Sequence, residues 1–270
     1  MPSQREKAEH FLALHHGDTP LLMPNPWDIG SARILESLGF HALATTSSGF
    51  AATLGRLDGD VTVDEALAHA AALAGACEVP VSADLENGFA DEPAAVAANI
   101  TRAVATGLAG CSVEDYSREG GLYARELAAE RVAAAAEAAH AGDVHLVLTA
   151  RAENFIRGNP DLADTIARLQ SFQEAGADVL FAPGLSDIKD IREIVAATDL
   201  PLNVLAGPNA PTVGALSEAG VKRISVGGAF FYVGIGAVAE AARELLEQGT
   251  HDFWSTAGPG AGIARAAFKA

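Results

Sequence analysis

Eight short apolar runs alternate with Ala-rich, charged segments along most of the chain, and this alternation constrains the fold more than any other feature. The runs are LLMPNP (21–26), ALATTS (42–47), VPVSADL (79–85), GCSVED (110–115), HLVLTAR (145–151), DVLFAP (178–183), LPLNVLA (200–206) and RISVGG (223–228). Apolar strands without polar alternation are typical of a parallel sheet that helices cover. Eight such units in 270 residues favour an α/β fold of the closed (β/α)8 TIM-barrel type. No GxGxxG motif follows the first run, which disfavours a doubly wound dinucleotide-binding sheet.

The segments between the runs have helical patterns and helix boundary signals. Helices are predicted over 30–38, 62–76, 92–106, 126–141, 161–175, 186–198, 212–219 and 234–247. Thr62 followed by Glu65 is typical of a capping box at a helix start. No linker rich in Pro, Gly or Ser interrupts the middle of the chain, so we expect one barrel domain over residues 1–250. Residues 251–270 depart from the pattern and form either a C-terminal tail or an arm that packs on a neighbouring subunit.

Composition excludes several classes of partner. The formal net charge of −17 argues against nucleic acid and anionic membranes. Cys77 and Cys111 form no CxxC pair, so a disulfide scaffold and a zinc ribbon are excluded and both residues are predicted to lie in the core. There is no signal-peptide pattern and no apolar run of the ~18 residues that span a bilayer. We therefore expect a cytoplasmic protein that binds a small molecule.

Polar residues collect where the predicted strands end, which is where TIM barrels place their catalytic groups. Asp84 lies at the end of the third run with Glu86 just after it, and Glu114 lies at the end of the fourth run. Three carboxylates on adjacent strand ends repel one another unless a cation lies between them, and Mg²⁺ prefers such oxygen ligands. The alternative for each acid is a cap on the following helix.

Two further features of the strand ends predict carboxylate binding. Arg151 ends an apolar strand, where it serves either as a bidentate clamp for a carboxylate or phosphoryl group or as an ion-pair partner of Glu114 or Glu153. The TTSSGF segment (45–50) at the end of the second run resembles an anion-binding turn. The candidate substrate-binding residues are Thr46, Ser47, Ser48, Gly49, Arg151 and Asn203. The histidines have no spacing that pairs them as ligands beside a carboxylate.

Taken in order, these segments resemble the isocitrate lyase/phosphoenolpyruvate mutase superfamily from about residue 5 to residue 250. The matching pieces are NPWDIGSARILESLGFHALATTSSGFAATLGRLDG, VPVSADLENGFAD, GCSVEDYS, LTARAENF, LPLNVLAG and RISVGGAF. The resemblance implies a (β/α)8 barrel whose last helix is often exchanged between subunits, as a homodimer or homotetramer. It also implies Mg²⁺, with Mn²⁺ as a substitute, held mostly through water. The metal-site residues that it implies are Asp58, Asp84, Glu86 and Glu114, with Asp84 the direct ligand.

The loop after the fourth strand departs from the superfamily. Isocitrate-type lyases carry a Lys-Lys-Cys-Gly-His motif there, whose Cys is the acid/base, whereas this chain reads EDYSREGGLYARELAAERV. Isocitrate cleavage is therefore disfavoured, and the chain resembles the oxaloacetate decarboxylase-like branch, which needs no cysteine acid. Ser117, Arg118 and Tyr123 are candidates for a replacement group.

The sequence thus predicts a Mg²⁺-dependent carbon–carbon lyase or decarboxylase that acts on a small 2-oxo or 2-hydroxy carboxylate through a metal-stabilised enolate. Arg151, Glu114 and Asp58 are the candidate catalytic residues. One alternative is a P–C bond enzyme, either a phosphonopyruvate hydrolase or a phosphoenolpyruvate mutase. Another is a barrel that binds carboxylates without turnover.

Overall fold

The computed structural model describes residues 2–269 and contains the eight predicted strands as one parallel sheet. The strands are β1 (Leu21–Met23), β2 (Leu43–Ala44), β3 (Val81–Asp84), β4 (Gly110–Glu114), β5 (Val147–Arg151), β6 (Val179–Phe181), β7 (Leu202–Leu205) and β8 (Arg223–Ser225). Their order in the sheet is β1-β8-β7-β6-β5-β4-β3-β2. The prediction of a TIM barrel is confirmed.

One asparagine closes the barrel where β1 meets β2. The Ala44 N–H donates to the Pro24 carbonyl at 3.1 Å. Asn25 Nδ2 donates to the Thr45 carbonyl at 3.0 Å, while its Oδ1 accepts from the N–H groups of Val226 and Gly227 at 3.0 and 2.9 Å. Asn25 therefore joins the carboxyl ends of β1, β2 and β8, which is the end of the barrel that carries the candidate site.

The helices surround the strands, and the structure has helices in addition to the eight that the pattern predicted. They are α1 (Gln4–Leu14), α2 (Ile29–Ser37), α3 (Ser47–Thr53), α4 (Val63–Ala76), α5 (Pro93–Val104), α6 (Arg125–His140), α7 (Leu162–Glu174), α8 (Ile188–Ala197), α9 (Val213–Glu218), α10 (Ala229–Arg243) and α11 (Trp254–Ala267). The capping box of Thr62 and Glu65 is present. No helix within residues 2–269 has the length and apolar character that a membrane span needs.

The segment over 251–270 contains α11, which packs on α2. Its last residue, Ala270, and the first residue of the predicted barrel domain, Met1, lie outside the described residues. The helix is largely exposed, with Trp254 64% exposed.

Two apolar clusters lie on the two sides of the strands. The outer cluster joins strand residues such as Cys111 and Leu148 to the helices. The inner cluster joins Val147 and Met23 to Phe11, because α1 closes the amino-terminal end of the barrel. Cys77 and Cys111 are fully buried, as predicted.

The interior above α1 is polar, although TIM barrels usually fill it with branched apolar side chains. Arg223 Nη1 on β8 donates to Thr149 Oγ1 on β5 at 2.9 Å. Since two strands separate β8 from β5, this hydrogen bond crosses the interior. The buried polar residues of the strands are Ser82, Ser112, Glu114, Thr149, Asn203, Arg223 and Ser225.

Gly110 gives a direct test of how α1 closes the barrel. A Cβ there would lie 2.6 Å from Phe11 Cε1 and 2.8 Å from the Val147 carbonyl oxygen. We expect Gly110→Ala to lower the free energy of unfolding by about 1–3 kcal/mol, because the extra methyl overpacks this contact. The measurement is denaturant unfolding followed by circular dichroism.

Gly75→Ala is the matched control. Gly75 lies exposed inside α4, and no atom would come within 4 Å of an added Cβ. The same substitution there should raise the free energy of unfolding by about 0.5–1 kcal/mol through helix propensity. Equal unfolding midpoints for the two variants would contradict the packing of Phe11 against β4.

Candidate active site

The carboxyl ends of β3, β4 and β5 place carboxylates around one arginine. Parallel register sets Glu114 beside Arg151 on the neighbouring strand. Arg151 Nη1 donates to Asp84 Oδ1 at 2.8 Å, and Nη2 lies 2.9 Å from Glu114 Oε2. Arg151 Nε and Nη2 donate to Glu153 Oε1 at 3.1 and 2.8 Å. Burial alone would lower the pKa of Arg151, but Glu153, Glu114 and Asp84 together hold it well above its ordinary value.

A second arginine, Arg157, completes this charge network. Its Nε donates to Glu153 Oε2 at 3.0 Å, and its Nη2 lies 3.3 Å from Glu114 Oε1. The guanidinium lies 3.7 Å from the centroid of the Tyr116 ring, a cation–π contact. Sequence reasoning missed Arg157, and the available signal was its spacing of four residues from Glu153.

Two further charged residues, Asp115 and Arg168, hold Glu153 in position. Asp115 Oδ1 accepts the Glu153 N–H at 2.8 Å, and its Oδ2 lies 3.0 Å from Arg168 Nη1. Burial raises the pKa of Asp115 to about 6, although the hydrogen bond from Glu153 and the charge of Arg168 both lower it. The side chain of Glu153 is itself completely buried. Asp115 and Arg168 therefore act as positioning residues.

The predicted carboxylate-binding segment forms the start of α3, where a turn was expected. Thr46 is the N-cap, and its Oγ1 accepts the Gly49 N–H at 3.3 Å. Ser47 Oγ and its N–H point to Asp84 Oδ2 at 3.0 and 3.4 Å. A Cβ at position 49 would lie 2.6 Å from Thr46 Cγ2, so only glycine fits this close approach. The segment thus orients Asp84 and directs a helix N-terminus to the same region.

The other two predicted metal-site acids lie near Asp84. Burial, and after it the charge of Asp84, raises the pKa of Asp58, while a hydrogen bond from Ser47 opposes that rise. Burial, then Asp84 and Asp58, raises the pKa of Glu86 to about 7. Glu86 also has a φ of 49°, a left-handed conformation that non-glycine residues adopt at a cost and that often marks functional sites.

The donor set fits a hard divalent cation. Asp58, Asp84, Glu86, Glu114 and Glu153 contribute five carboxylates, against the two guanidiniums of Arg151 and Arg157. Burial raises the pKa of Glu114 well above its ordinary value, as Glu153 and Asp84 also do, although Arg151 opposes them. A cation would relieve this excess of negative charge.

The same acids do not converge on a single point. Within residues 2–269, the only group of three His, Cys, Asp or Glu ligand atoms within 4.8 Å of one another lies elsewhere. This spacing suits an ion that keeps several water ligands, as Mg²⁺ does.

A cavity of about 180 Å³, here called the barrel cavity, opens beside these groups. Among the predicted site residues it is lined by Thr46, Ser47, Ser48, Asp58, Asp84 and Arg151. Glu86 and Glu114 line an adjoining outer cavity instead. Gly49 and Asn203 line neither cavity, and Asn203 is buried with its Nδ2 donating to Ser225 Oγ at 3.0 Å.

The three candidate proton donors lie on or beside a short hairpin over 116–122 that borders the outer cavity. Arg118 Nη1 lies 2.6 Å from Asp60 Oδ1 on the loop after α3, so this ion pair joins the hairpin to that loop. The Tyr123 hydroxyl donates to Asp91 and lines neither cavity. Ser117 Oγ accepts the Gly120 N–H at 3.3 Å and lines the outer cavity.

Two histidines that sequence reasoning set aside share one carboxylate. His140 and His145 Nε2 lie 3.0 and 2.8 Å from the two oxygens of Asp178. Their rings stack at 3.9 Å with 8° between the planes. Because the lone pairs of parallel rings lie in separate planes, they cannot both be directed to one metal ion. The expectation that no histidines pair beside a carboxylate was wrong, since α6 and β6 bring together residues that are distant in sequence.

Comparison with known proteins identifies the family of this chain. The sequence profile of the phosphoenolpyruvate phosphomutase family matches residues 11–246. The uncharacterized protein Rv1998c of Mycobacterium tuberculosis (strain H37Rv) is 35% identical over 239 residues, which cover 88% of this chain and 89% of that protein. Oxaloacetate decarboxylase 2 of Pseudomonas fluorescens is 29% identical over 257 residues, which cover 90% and 85%.

Among solved structures, a Burkholderia cenocepacia J2315 protein provisionally titled a lyase/mutase superposes with a TM-score of 0.93. It is 45% identical, and the match covers 97% of this chain and 95% of that one. The named relatives of the family are lyases and mutases. The chain therefore belongs to the phosphoenolpyruvate phosphomutase family, within the isocitrate lyase/phosphoenolpyruvate mutase superfamily that its sequence resembles.

Proposed function

We propose that this protein is a Mg²⁺-dependent carbon–carbon lyase that acts on a small 2-oxo or 2-hydroxy carboxylate, with oxaloacetate as the first substrate to test. The observation that supports it most directly is the excess of buried carboxylates around Asp84 at the mouth of the barrel cavity. A cavity of about 180 Å³ suits a ligand smaller than the drug-sized compounds that occupy roughly 300–1,000 Å³.

Asp84, with Asp58, Glu86 and Glu114 around it, would hold the metal, whose positive charge stabilises an enolate oxygen as negative charge develops. The residues of the chain orient the reactants. Ser47 fixes one oxygen of Asp84. Within the described part of the chain Arg151 Nη1 has one hydrogen-bond partner, so its second N–H is free to donate to a substrate carboxylate. The rigid network of Glu153, Arg157 and Asp115 keeps that donor in place.

A P–C bond enzyme is the second candidate, favoured by the match to the phosphomutase profile. It shares the enolate and differs only in the group that leaves, so substrate tests separate the two. A barrel that binds carboxylates without turnover is the third outcome.

We expect Asp84→Asn to lower metal-dependent kcat/KM by about 100-fold or more, because it removes the charged ligand while keeping the side-chain shape. Pyruvate release is measured from oxaloacetate, phosphonopyruvate, methylisocitrate and dialkylmalates, and phosphoenolpyruvate formation is measured from phosphonopyruvate, each with Mg²⁺ and with chelator. Oxaloacetate loses CO₂ spontaneously with Mg²⁺, so the Asp84→Asn protein also serves as the blank.

Asp64→Asn is the control for this variant, since Asp64 is an exposed carboxylate that pairs with Arg102 away from the cavity. It should retain wild-type rates. Wild-type activity in Asp84→Asn would contradict the metal-site assignment, and Mg²⁺ binding without turnover of any substrate would indicate the non-catalytic barrel.

Mg²⁺ affinity should increase with pH in the range where Glu86 ionises. The pKa of this carboxyl is raised to about 7 without metal, so protons compete with the ion below that pH. Between pH 8 and pH 6 we expect the apparent Kd for Mg²⁺ to rise by about tenfold, measured by calorimetry. Glu86→Gln should bind more weakly and with a flatter pH profile, and an unchanged profile would remove Glu86 from the site.

We also propose that the chain forms a homodimer or homotetramer through α10, the turn after it and α11. These elements expose large apolar side chains, among them Val233 (70%), Val238 (67%), Leu246 (85%) and Trp254 (64%). An apolar surface of this extent is typical of an interface between proteins.

Light scattering after gel filtration tests this assembly. We expect Val238→Glu with Leu246→Glu to shift the protein toward the monomer, because the interface would bury two unpaired charges. A wild-type mass of 27.7 kDa, that of one chain, would overturn the proposal.

A further inference from the structure

Arg223 differs from the other buried arginines because neither a carboxylate nor a set of backbone carbonyls compensates its charge. Arg131, which also has no ion pair, donates instead to the backbone carbonyls of Asn87, Ala90, Asp91 and Glu114. Arg223 is 3% exposed, and no carboxylate of residues 2–269 lies within the 4.0 Å of an ion pair. By contrast, Arg151 contacts three carboxylates and Arg168 contacts two. A buried charge is costly unless an opposite charge or several acceptors compensate it.

The protein partners of Arg223 are few and neutral. Its Nη1 donates to Thr149 Oγ1 at 2.9 Å and approaches His15 Nε2 at 3.5 Å. His15 Nδ1 lies 2.8 Å from the Phe11 carbonyl, so Nδ1 carries the proton and Nε2 accepts from Arg223. Burial, followed by the charge of Arg223, lowers the pKa of His15 to about 3, so this ring stays uncharged.

The rest of the guanidinium is left for a ligand. Among the described residues, Arg223 Nε has no acceptor although it is buried. Arg223 lines the barrel cavity together with Asp84 and Arg151, and the hydroxyl residues Ser112 and Ser225 line it too. The cavity thus has carboxylates and a candidate metal site at one end and an uncompensated cation below them.

We propose that Arg223 binds a second carboxylate of the ligand, so that the substrate is a dicarboxylate held at the rim by the metal site and in the barrel by Arg223. This proposal rests on the proposed function for the end of the ligand that reacts. It adds the residue that binds the second carboxylate, because a monocarboxylate leaves Arg223 uncompensated. A buried guanidinium stabilises the ionised form of a carboxylate that pairs with it. The carboxylate that binds Arg223 therefore remains ionised in the complex.

Binding of unreactive acids to the full-length protein tests this without turnover. Malonate, succinate and glutarate are each compared with the monocarboxylate of equal chain length: propionate, butyrate and pentanoate. Calorimetry with Mg²⁺ present should show wild-type protein binding at least one dicarboxylate about tenfold or more tighter than its partner. In Arg223→Met that preference should fall to within about twofold, while monocarboxylate affinity stays unchanged.

The variants also separate binding from a structural role. Arg223→Met removes an unpaired buried charge, so without ligand its melting temperature should equal or exceed that of the wild type. Arg223→Lys keeps the charge and should retain part of the preference. Arg102→Met is the control, because Arg102 is exposed on α5 and pairs with Asp64 away from the cavity.

Three results would overturn the proposal. One is a wild-type protein without a dicarboxylate preference, which is measurable even if Arg223→Met fails to fold. Another is a preference that survives in Arg223→Met. A third is Arg223-dependent binding of chloride alone, with no such dependence for the dicarboxylates. Failure of the proposed function is distinct, since it would appear as absence of turnover in the wild type whatever the binding series gives.

Discussion

The buried ion cluster centred on Arg151 is the interaction on which the site depends. The guanidinium of Arg151 lies 2.8–2.9 Å from the carboxylates of Asp84, Glu114 and Glu153, and all of these side chains have little solvent exposure. Such a cluster costs desolvation free energy, and it persists because each member has further hydrogen bonds. Glu153 is held by Arg157 and by Asp115, and Asp84 is held by Ser47. The result is a set of acids whose positions are fixed before any ligand arrives.

The arrangement of charge along the barrel axis follows from this cluster. Near the rim, carboxylates outnumber guanidiniums, which favours a cation there. Further into the barrel, Arg223 is positive and has only Thr149 and neutral His15 beside it. In a chain of net charge −17, an anionic ligand needs such local positive charge to bind. The proposed ligand is therefore a small molecule with one end at the metal site of the rim and an anionic end at Arg223 in the interior.

Much of this could be predicted from the sequence because strand patterns are local. The eight apolar runs predicted all eight strands. The polar residues at their ends included Asp84, Glu114 and Arg151, which contact one another at the rim. Arg151 was predicted to pair with Glu114 or Glu153, and it pairs with both. Arg157 was missed because it follows the strand in a turn, where its spacing of four residues from Glu153 is the only signal. Arg223 was interpreted as the first residue of an apolar strand. Its side chain points into the barrel because of the pleat of that strand, which the sequence did not reveal.

The sequence by itself determined the barrel, its family and the chemical type of its rim, since hydrophobic periodicity and strand-end residues are properties of short segments. The tertiary structure alone decided which residues meet across the interior. Arg223 and Thr149 are 74 positions apart, and Arg151 and Asp84 are 67 apart. Closing the barrel brings them together, because every inward-facing side chain must share one narrow space. Within that space, charge balance distinguishes an arginine already compensated by protein carboxylates from one left for a ligand.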